Sequence, residues 1–529
     1  GLAILSAQLN ESSIKYAVKS ERPGVKHVGV SLDVSRNAAP DVTSIKHFLR
    51  KMSLMGMDRL MLYMEDMYPV EGYDKFGYMR GRYSRSELKA IDDYAYALGI
   101  EVIPYIQTLA HLSQVLKWEE MSHLRDTIDI LLVDDNDTYE LIDKMLTSLS
   151  DIFRSRRVNL GMDEAHDLGL GNYLSAHGYH EGHMILQRHL FRVAELAEKH
   201  GLTGMIASDM LFSGDNKAVD HYELGSSLDC AVSLPTNIDL MYWDYFHTDT
   251  NEIAEFIRRH KSWGKKPTYL GTVRTWESFA TSYTRSFKNT RAAIKACIRE
   301  NVEEAIISVW MNDGAENSFL AAIPGVSYFA QQVYNADIDE SSFRMLFSAQ
   351  TGSDFDSFLL LEKIDEAKCA IGSNANLSKY LLWQDPLLGL FDFHIANRNL
   401  SDHYKELSVQ MRCSIPKMGE YRPLMELMAK LCEVLSVKSE IGVRIKEAYD
   451  KGSMSELKQI ADDILPALEG DIDNLRELHY SLWMSTLKPF GFEVIDGRYG
   501  AQMARLRTAR VRLSEYVSGR IASIPELEE

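Results

Sequence analysis

Between His27 and about Asn335, short apolar runs alternate with longer stretches in which apolar residues recur every three to four positions. The runs are HVGVSLDV from His27, RLMLYM from Arg59, IEVIPYIQ from Ile100, RVNLGM from Arg157, TGMIAS from Thr203, DLMYWD from Asp239, PTYLGT from Pro267 and EAIISVW from Glu304. They read as eight strands. The intervening SELKAIDDYAYALG, TYELIDKMLTSLSDIF and ILQRHLFRVAELAEKHG read as helices, with glycine at several C-terminal ends and Asp or Ser near several starts. Eight such alternations predict a closed (β/α)8 barrel. A doubly wound sheet is the alternative, but no glycine-rich phosphate loop follows the first strand.

After Asn335 the strand-like runs give way to helical spacing, as in DSFLLLEKIDEAKCAI, RPLMELMAKLCEVL and LKQIADDILPALEGDIDNLRELHYSLW. The expected division is an N-terminal extension or remnant over residues 1–26, a catalytic barrel over 27–340 and an α-helical domain over 341–529. That domain could form a homodimer interface.

Charge narrows the partners. With 58 basic and 76 acidic residues the net charge is -18, which disfavours nucleic acid and suits a neutral or small substrate. Cys230, Cys297, Cys369, Cys413 and Cys432 form no CxxC pair and are odd in number, so they read as buried thiols and not as a disulfide or zinc framework. No apolar run approaches the roughly 18 residues that span a bilayer, and no signal peptide opens the chain. A cytoplasmic protein with no membrane partner is expected.

Active sites of such barrels lie at the C-terminal ends of the strands, and these ends are rich in functional groups. They carry Glu65 and Asp66 after the second run, His111 after the third, Asp163 and Glu164 after the fourth, and Asp209 after the fifth. Tyr242 and Asp244 follow at the sixth, Trp276 at the seventh, and Trp310, Asn312 and Asp313 at the eighth. Acids with tyrosine and tryptophan around one mouth suit a sugar: rings stack on C–H faces while acids accept hydroxyl hydrogen bonds. No HExxH and no Ser-His-Asp order appears. Taken singly, each group has a plainer reading. Adjacent acids also occur at Asp92-Asp93 and Asp134-Asp135, where solvation explains them, and a lone His or Trp is more often packing. Asp163-Glu164 differs because it follows an apolar run directly and precedes a glycine-bearing loop, where strict alternation stops.

The ordered set LDVSRN, MEDMYPVEGY, IQTLAH, LGMDEAH, MYWDY and VWMNDGAE, with KPFGFEVIDGRYG further on, resembles glycoside hydrolase family 20, the β-N-acetylhexosaminidases, in its bacterial form with a helical C-terminal domain. The resemblance implies an exo-acting enzyme, without a cofactor or metal, that removes terminal β-linked GlcNAc or GalNAc from a glycan or glycoconjugate. Hydrolysis would be retaining and substrate-assisted: the 2-acetamido oxygen attacks the anomeric carbon and an oxazolinium ion forms. Glu164 would be the general acid, Asp163 the acceptor for the acetamido N–H, and Tyr242 the donor to the acetamido oxygen. Trp276 and Trp310 would be aromatic walls, Asp244 an acid near the site, Glu65 and His111 a supporting relay, and Asn312 and Asp313 partners of the 4- and 6-hydroxyls. The chain departs from the family's pattern at three places. Val28 stands where an arginine for the 3- and 4-hydroxyls is usual, with Arg36 as substitute; Ala207 replaces a pocket tryptophan; and Asn312 replaces an acid. Two other readings are an O-GlcNAc-hydrolase-like barrel, which would carry two aspartates after the fourth strand, and a sugar-binding barrel that no longer cleaves.

Overall fold

The computed structural model describes residues 22–212, 222, 233–276, 278–367, 376–395 and 398–528. Most of the expected N-terminal extension, and Cys230 and Cys369, lie outside the described residues. All eight strands form where the apolar runs lie: β1 (His27–Asp33), β2 (Arg59–Tyr63), β3 (Glu101–Tyr105), β4 (Arg157–Asn159), β5 (Thr203–Ala207), β6 (Ile238–Trp243), β7 (Thr268–Val273) and β8 (Glu304–Val309). They are parallel and close into a barrel, with β1 paired to both β2 and β8. At Gly29 a Cβ would lie 2.1 Å from the Arg59 carbonyl oxygen, so β1 and β2 can approach this closely only through a glycine.

Amphipathic helices cover the strands: α1 (Val42–Leu54), α2 (Arg85–Ala97), α3 (Asn136–Ile152), α4 (Gly182–Lys199), α5 (Thr250–Ser262), α6 (Tyr283–Arg299) and α7 (Ile323–Tyr334). Their starts follow the sequence signals. Asp41 and Asp135 cap α1 and α3, and Ser84 forms a reciprocal capping box with Glu87 at α2. Between β5 and β6 the described residues contain one 3-10 turn, Asp209–Leu211, and no longer helix.

The N-terminal end of the barrel is sealed by charge. Glu304, the first residue of β8, accepts two hydrogen bonds from Arg157 of β4, Nη1 to Oε1 at 2.8 Å and Nη2 to Oε2 at 2.5 Å. It also accepts the Thr268 hydroxyl at 2.8 Å, and Arg59 Nε of β2 lies 3.3 Å away. Burial alone would raise the Glu304 carboxyl, but the guanidinium groups and Thr268 hold it below its ordinary range.

The chain divides into two compact units. One runs to Val273 and includes Thr284–Trp310 and Gly325–Phe343; the other comprises Arg274–Tyr283, Met311–Pro324 and the residues from Arg344 on. The segments after β7 and β8 thus group with the second unit. Its longest helices are α8 (Leu400–Ser414), α9 (Arg422–Lys438), α10 (Leu465–Thr486) and α11 (Phe492–Val517). A π-turn at Ile460–Ile464 precedes Pro466, whose missing N–H cannot continue an ordinary helical ladder. The helix expected over DSFLLLEKIDEAKCAI stops early: Phe355–Leu359 is helical and Glu362–Ile364 is a 3-10 turn. Beyond it the carbonyls of Lys363 and Ile364 accept hydrogen bonds from His403 and Tyr404 of α8 in place of helical partners. Cys297 and Cys432 are buried as expected, whereas Cys413 is exposed near the end of α8.

Replacing Glu304 by Ala takes from Arg157 its two-point partner and leaves Arg59 with Asp58 and Glu101; it is expected to cost about 3 kcal/mol, read by urea unfolding. The folded pKa of Glu304 is depressed, so its contribution is full above the ordinary glutamate range and disappears as pH falls through the lower folded value. The stability gap between wild type and E304A should therefore narrow below about pH 4; a gap that is constant with pH would contradict the assignment.

Candidate active site

The opposite end of the barrel answers how neighbouring acids can serve one centre. After β4 the chain stays in register for two residues: Leu160 N–H bonds Met205 O, and Ala207 N–H bonds Gly161 O. It then enters the left-handed region at Gly161 (φ 72°), Met162 (φ 69°) and again Glu164 (φ 54°). Strand alternation is lost there, and Asp163 and Glu164 both reach His111. Asp163 Oδ2 lies 3.2 Å and Glu164 Oε2 3.4 Å from the same His111 Nε2. Non-glycine residues in this region cost roughly 1–2 kcal/mol each, so the turn needs support. Gln107 supplies part of it: its Oε1 accepts Met162 N–H at 3.2 Å and its Nε2 donates to Asp163 Oδ1 at 2.8 Å. Gly161 is required for that clamp, because a Cβ there would sit 2.1 Å from Gln107 Oε1.

The two carboxylates differ in environment. The Asp163 side chain is 12% exposed and that of Glu164 41%. Burial pushes Asp163 up, but the charge of His111 at 3.2 Å, helped by the Gln107 hydrogen bond, outweighs it and holds the carboxyl below its ordinary value. Burial likewise disfavours a charged His111, yet Asp163 and Glu164 raise it to about 10, so at neutral pH an imidazolium lies between the acids.

Behind His111 stands a second cation. Arg36 Nη2 is 3.5 Å from His111 Nδ1 and donates to the Tyr63 hydroxyl at 3.0 Å, while its Nε donates to Glu65 Oε1 at 3.1 Å. The Tyr63 hydroxyl donates to Glu65 Oε1 at 3.0 Å and accepts from Gln107 Nε2 at 3.2 Å. Glu65 thus reaches His111 through Arg36. The guanidinium also lies 5.3 Å from the Trp310 ring, which meets Tyr63 edge-on at 4.8 Å. By spacing, His111, Asp163 and Glu164 could ligate a metal, since one atom of each lies within 4.8 Å of the others. The proton on His111 and the adjacent Arg36 already fill this place with positive charge, which suits a proton-bearing cluster better than a cation site.

Two sequence expectations need correction. Alternation along β6 turns Tyr242 towards the helices: its ring packs on Phe256 and His260 of α5, with centroids at 5.9 and 4.9 Å. It is fully buried and its hydroxyl donates to Asp244 Oδ2 at 2.6 Å. Asp244 is occupied with the same turn, accepting the Phe246 and His247 N–H groups and pairing with His247 Nδ1 at 2.9 Å. Neither faces His111. The tyrosine on the barrel side is Tyr245, whose oxygen accepts Trp310 Nε1–H at 3.0 Å and whose ionisation, already disfavoured by burial, is further opposed by Asp163 and Glu164. The second correction concerns Val28, which pairs with Ala305 and donates its N–H to Asp58. It lies at the N-terminal end of β1, so it leaves no gap at the mouth, where Arg36 stands. Ala207 is buried at the end of β5.

Trp276, Asn312 and Asp313 belong to the second unit. Arg274 lies 5.1 Å from the Trp276 ring. Asn312 Oδ1 is buried with no hydrogen-bond partner among the described residues. Asp313, with its side chain 69% exposed, pairs with Arg498 Nη2 at 3.1 Å and Lys379 Nζ at 3.5 Å. Both cations also bind the buried Glu316. Arg498 comes from KPFGFEVIDGRYG, which gives that motif a structural task.

Sequence reasoning missed Tyr63, Gln107, Tyr245, Lys379 and Arg498. Gln107, Tyr245 and Arg498 carried a signal, lying in the IQTLAH, MYWDY and KPFGFEVIDGRYG motifs.

Comparison with known proteins adds ancestry. Residues 25–318 match the family described as "Glycosyl hydrolase family 20, catalytic domain", and residues 356–529 match "Glycoside Hydrolase 20C C-terminal domain". The chain is similar to Hexosaminidase D of Homo sapiens, 27% identical over 226 residues, which are 41% of this chain and 44% of that protein. It is also similar to Hexosaminidase D of Bos taurus, 30% identical over 146 residues, 27% of this chain and 42% of that protein. The chain spans less than half the length of either relative. Among solved structures it resembles the GH20 β-N-acetylhexosaminidase of Streptomyces coelicolor A3(2), at a TM-score of 0.48 and 17% identity, covering 62% of this chain and 68% of that one. A GH20 exo-β-N-acetylglucosaminidase of Vibrio harveyi gives a TM-score of 0.47 at 12% identity, covering 65% and 59%. Because the catalytic-domain match spans more than half of its residues, the chain belongs to glycoside hydrolase family 20.

Proposed function

We propose that the protein is an exo-acting β-N-acetylhexosaminidase that removes terminal β-linked GlcNAc or GalNAc with retention, through an oxazolinium intermediate. The observation that carries the reading is the convergence of Asp163 and Glu164 on one His111 nitrogen. Two acids that share one imidazole cannot stand on opposite faces of a glycosidic bond, as an acid and a carboxylate nucleophile must. They suit a reaction whose nucleophile is the substrate's own acetamido oxygen.

Each group then has a role that follows from its surroundings. Asp163, held as an anion, accepts the acetamido N–H and balances the positive charge that develops on the oxazolinium ring. Glu164 is open enough to reach the leaving oxygen, donate its proton, and afterwards take a proton from the attacking water. The Tyr245 hydroxyl, with its oxygen accepting from Trp310, directs its own proton to the acetamido oxygen, and Trp310 forms an aromatic wall. His111, kept protonated, fixes both carboxylates, and Glu65 balances the Arg36 guanidinium that stands behind it. Asn312 and Asp313 are proposed partners of sugar hydroxyls, and Trp276 a second aromatic wall.

The barrel and helical domains are assigned to residues 27–340 and 341–529. A cytoplasmic setting is part of the same proposal, supported by the unpaired Cys297, Cys413 and Cys432; among the described residues no helix is long and apolar enough to cross a membrane.

Chromogenic β-N-acetylglucosaminides and β-N-acetylgalactosaminides test the reading. Glu164→Gln is expected to lose about 10²–10⁴-fold on substrates with poor leaving groups and far less on activated aryl glycosides, which need little protonation. Equal loss on both would remove Glu164 as the acid. A thiazoline mimic of the oxazolinium ion should inhibit wild type at least about 100-fold more tightly than free N-acetylglucosamine, and D163A should abolish that margin; inhibition no better than by the free sugar would sink the acetamido mechanism. Y245F is expected to lower kcat by about 10²–10³-fold, the cost of one oxyanion-type donor, whereas Y242F, remote from His111, should leave kcat within a few-fold. The reverse order would return the clamp to Tyr242.

A further inference from the structure

We propose that Asp209 is a positioning residue that holds the backbone of Glu164 in its left-handed turn, and through it aims the general acid. This rests on the assignment of Glu164 above. Asp209 follows β5 and has no accessible surface, so it cannot touch a sugar. Its two oxygens serve two neighbouring strand ends: Oδ2 accepts the Glu164 backbone N–H at 2.9 Å, and Oδ1 accepts Trp243 Nε1–H of β6 at 3.1 Å. Glu164, at φ 54°, occupies a conformation that an L-residue keeps only under outside constraint. A buried carboxylate accepting from its N–H is such a constraint, and a stronger one than a neutral acceptor. Were the N–H released, the backbone could relax to the extended region, where alternation carries the Glu164 side chain away from Asp163 and His111.

The chemistry demands a carboxylate. An asparagine has one accepting oxygen and one N–H₂ group, so in D209N the amide must set a donor against either Glu164 N–H or Trp243 Nε1–H. Removing the indole donor ends that conflict, because the amide oxygen can then take Glu164 N–H without setting the N–H₂ group against the indole N–H. This gives a rescue that a merely structural role does not predict.

The test compares wild type, D209N, W243F and D209N/W243F on aryl β-N-acetylglucosaminides of graded leaving-group ability. D209N should lose about 100-fold in kcat on poor leaving groups, the cost of a misplaced catalytic group, with little loss on activated ones and KM nearly unchanged. W243F should stay within a few-fold of wild type, and the double variant should recover most of the D209N loss. Uniform loss across leaving groups, or no recovery in the double variant, overturns the proposal. If wild type cleaves none of these glycosides, the functional reading fails, and positioning is then judged on a crystal structure of D209N. Glu164 leaving the left-handed region supports the proposal, and Glu164 keeping positive φ with its carboxylate still at His111 overturns it.

Discussion

The contact of two carboxylates with one protonated imidazole is the interaction around which this barrel's mouth is arranged. Asp163 and Glu164 are consecutive, so meeting at His111 Nε2 requires the backbone between them to leave extended geometry. Left-handed conformation at Met162 and Glu164 achieves this, at a cost that neighbouring groups must offset. Gln107 grips the Met162 backbone and the Asp163 carboxylate, Gly161 leaves room for Gln107, and Asp209 takes the Glu164 N–H. His111 itself lies in the left-handed region at φ 56°. Electrostatics completes the set, because the acids that raise His111 to about 10 keep the proton that binds them together.

The two ends of the barrel divide stability from chemistry. At the N-terminal end Glu304 meets Arg157, Arg59 and Thr268, residues that begin strands in ordinary extended geometry. Opposite charges there are matched and largely withdrawn from solvent. At the C-terminal end Glu65, His111, Met162 and Glu164 all have positive φ, and two acids share one proton-bearing ring. Backbone strain collects at the mouth, while the far end keeps the strands in register.

The repeating pattern made the barrel legible in the sequence, because eight apolar runs separated by capped helices allow few other closures. Asp163-Glu164, His111, Glu65 and Trp310 could be read as a group from their places after successive runs. Motif matching failed where it overrode strand geometry. YWD places Tyr242 and Asp244 at the right distance along the chain, but β6 runs to Trp243, and alternation turns Tyr242 towards α5. Tyr245, just beyond the strand, is free of that alternation. Val28 misled for a related reason: the glycine beside it marks the start of β1, and the mouth lies at the other end. Tyr63 and Gln107 were hidden because they read as ordinary strand residues, and their role follows only from which strands become neighbours.

Sharing one imidazole also constrains what the acids can do. With their contacting oxygens within 4.8 Å of one another, both carboxylates as anions would repel strongly if His111 were neutral. On the proposed mechanism an oxazolinium ring formed against Asp163 would bring a positive charge into the cluster as Glu164 gave its proton away and became an anion. The transition state then replaces a protonated acid by a carboxylate and a neutral acetamide by a cation, leaving the net charge of the cluster unchanged. A carboxylate nucleophile would leave the net charge unchanged as well, because the negative charge it loses on bonding to the sugar is matched by the one the acid gains, so the choice falls to geometry. Two acids gathered at one imidazole nitrogen leave no carboxylate for the opposite face of the bond, and it is this geometry that favours the substrate's own nucleophile.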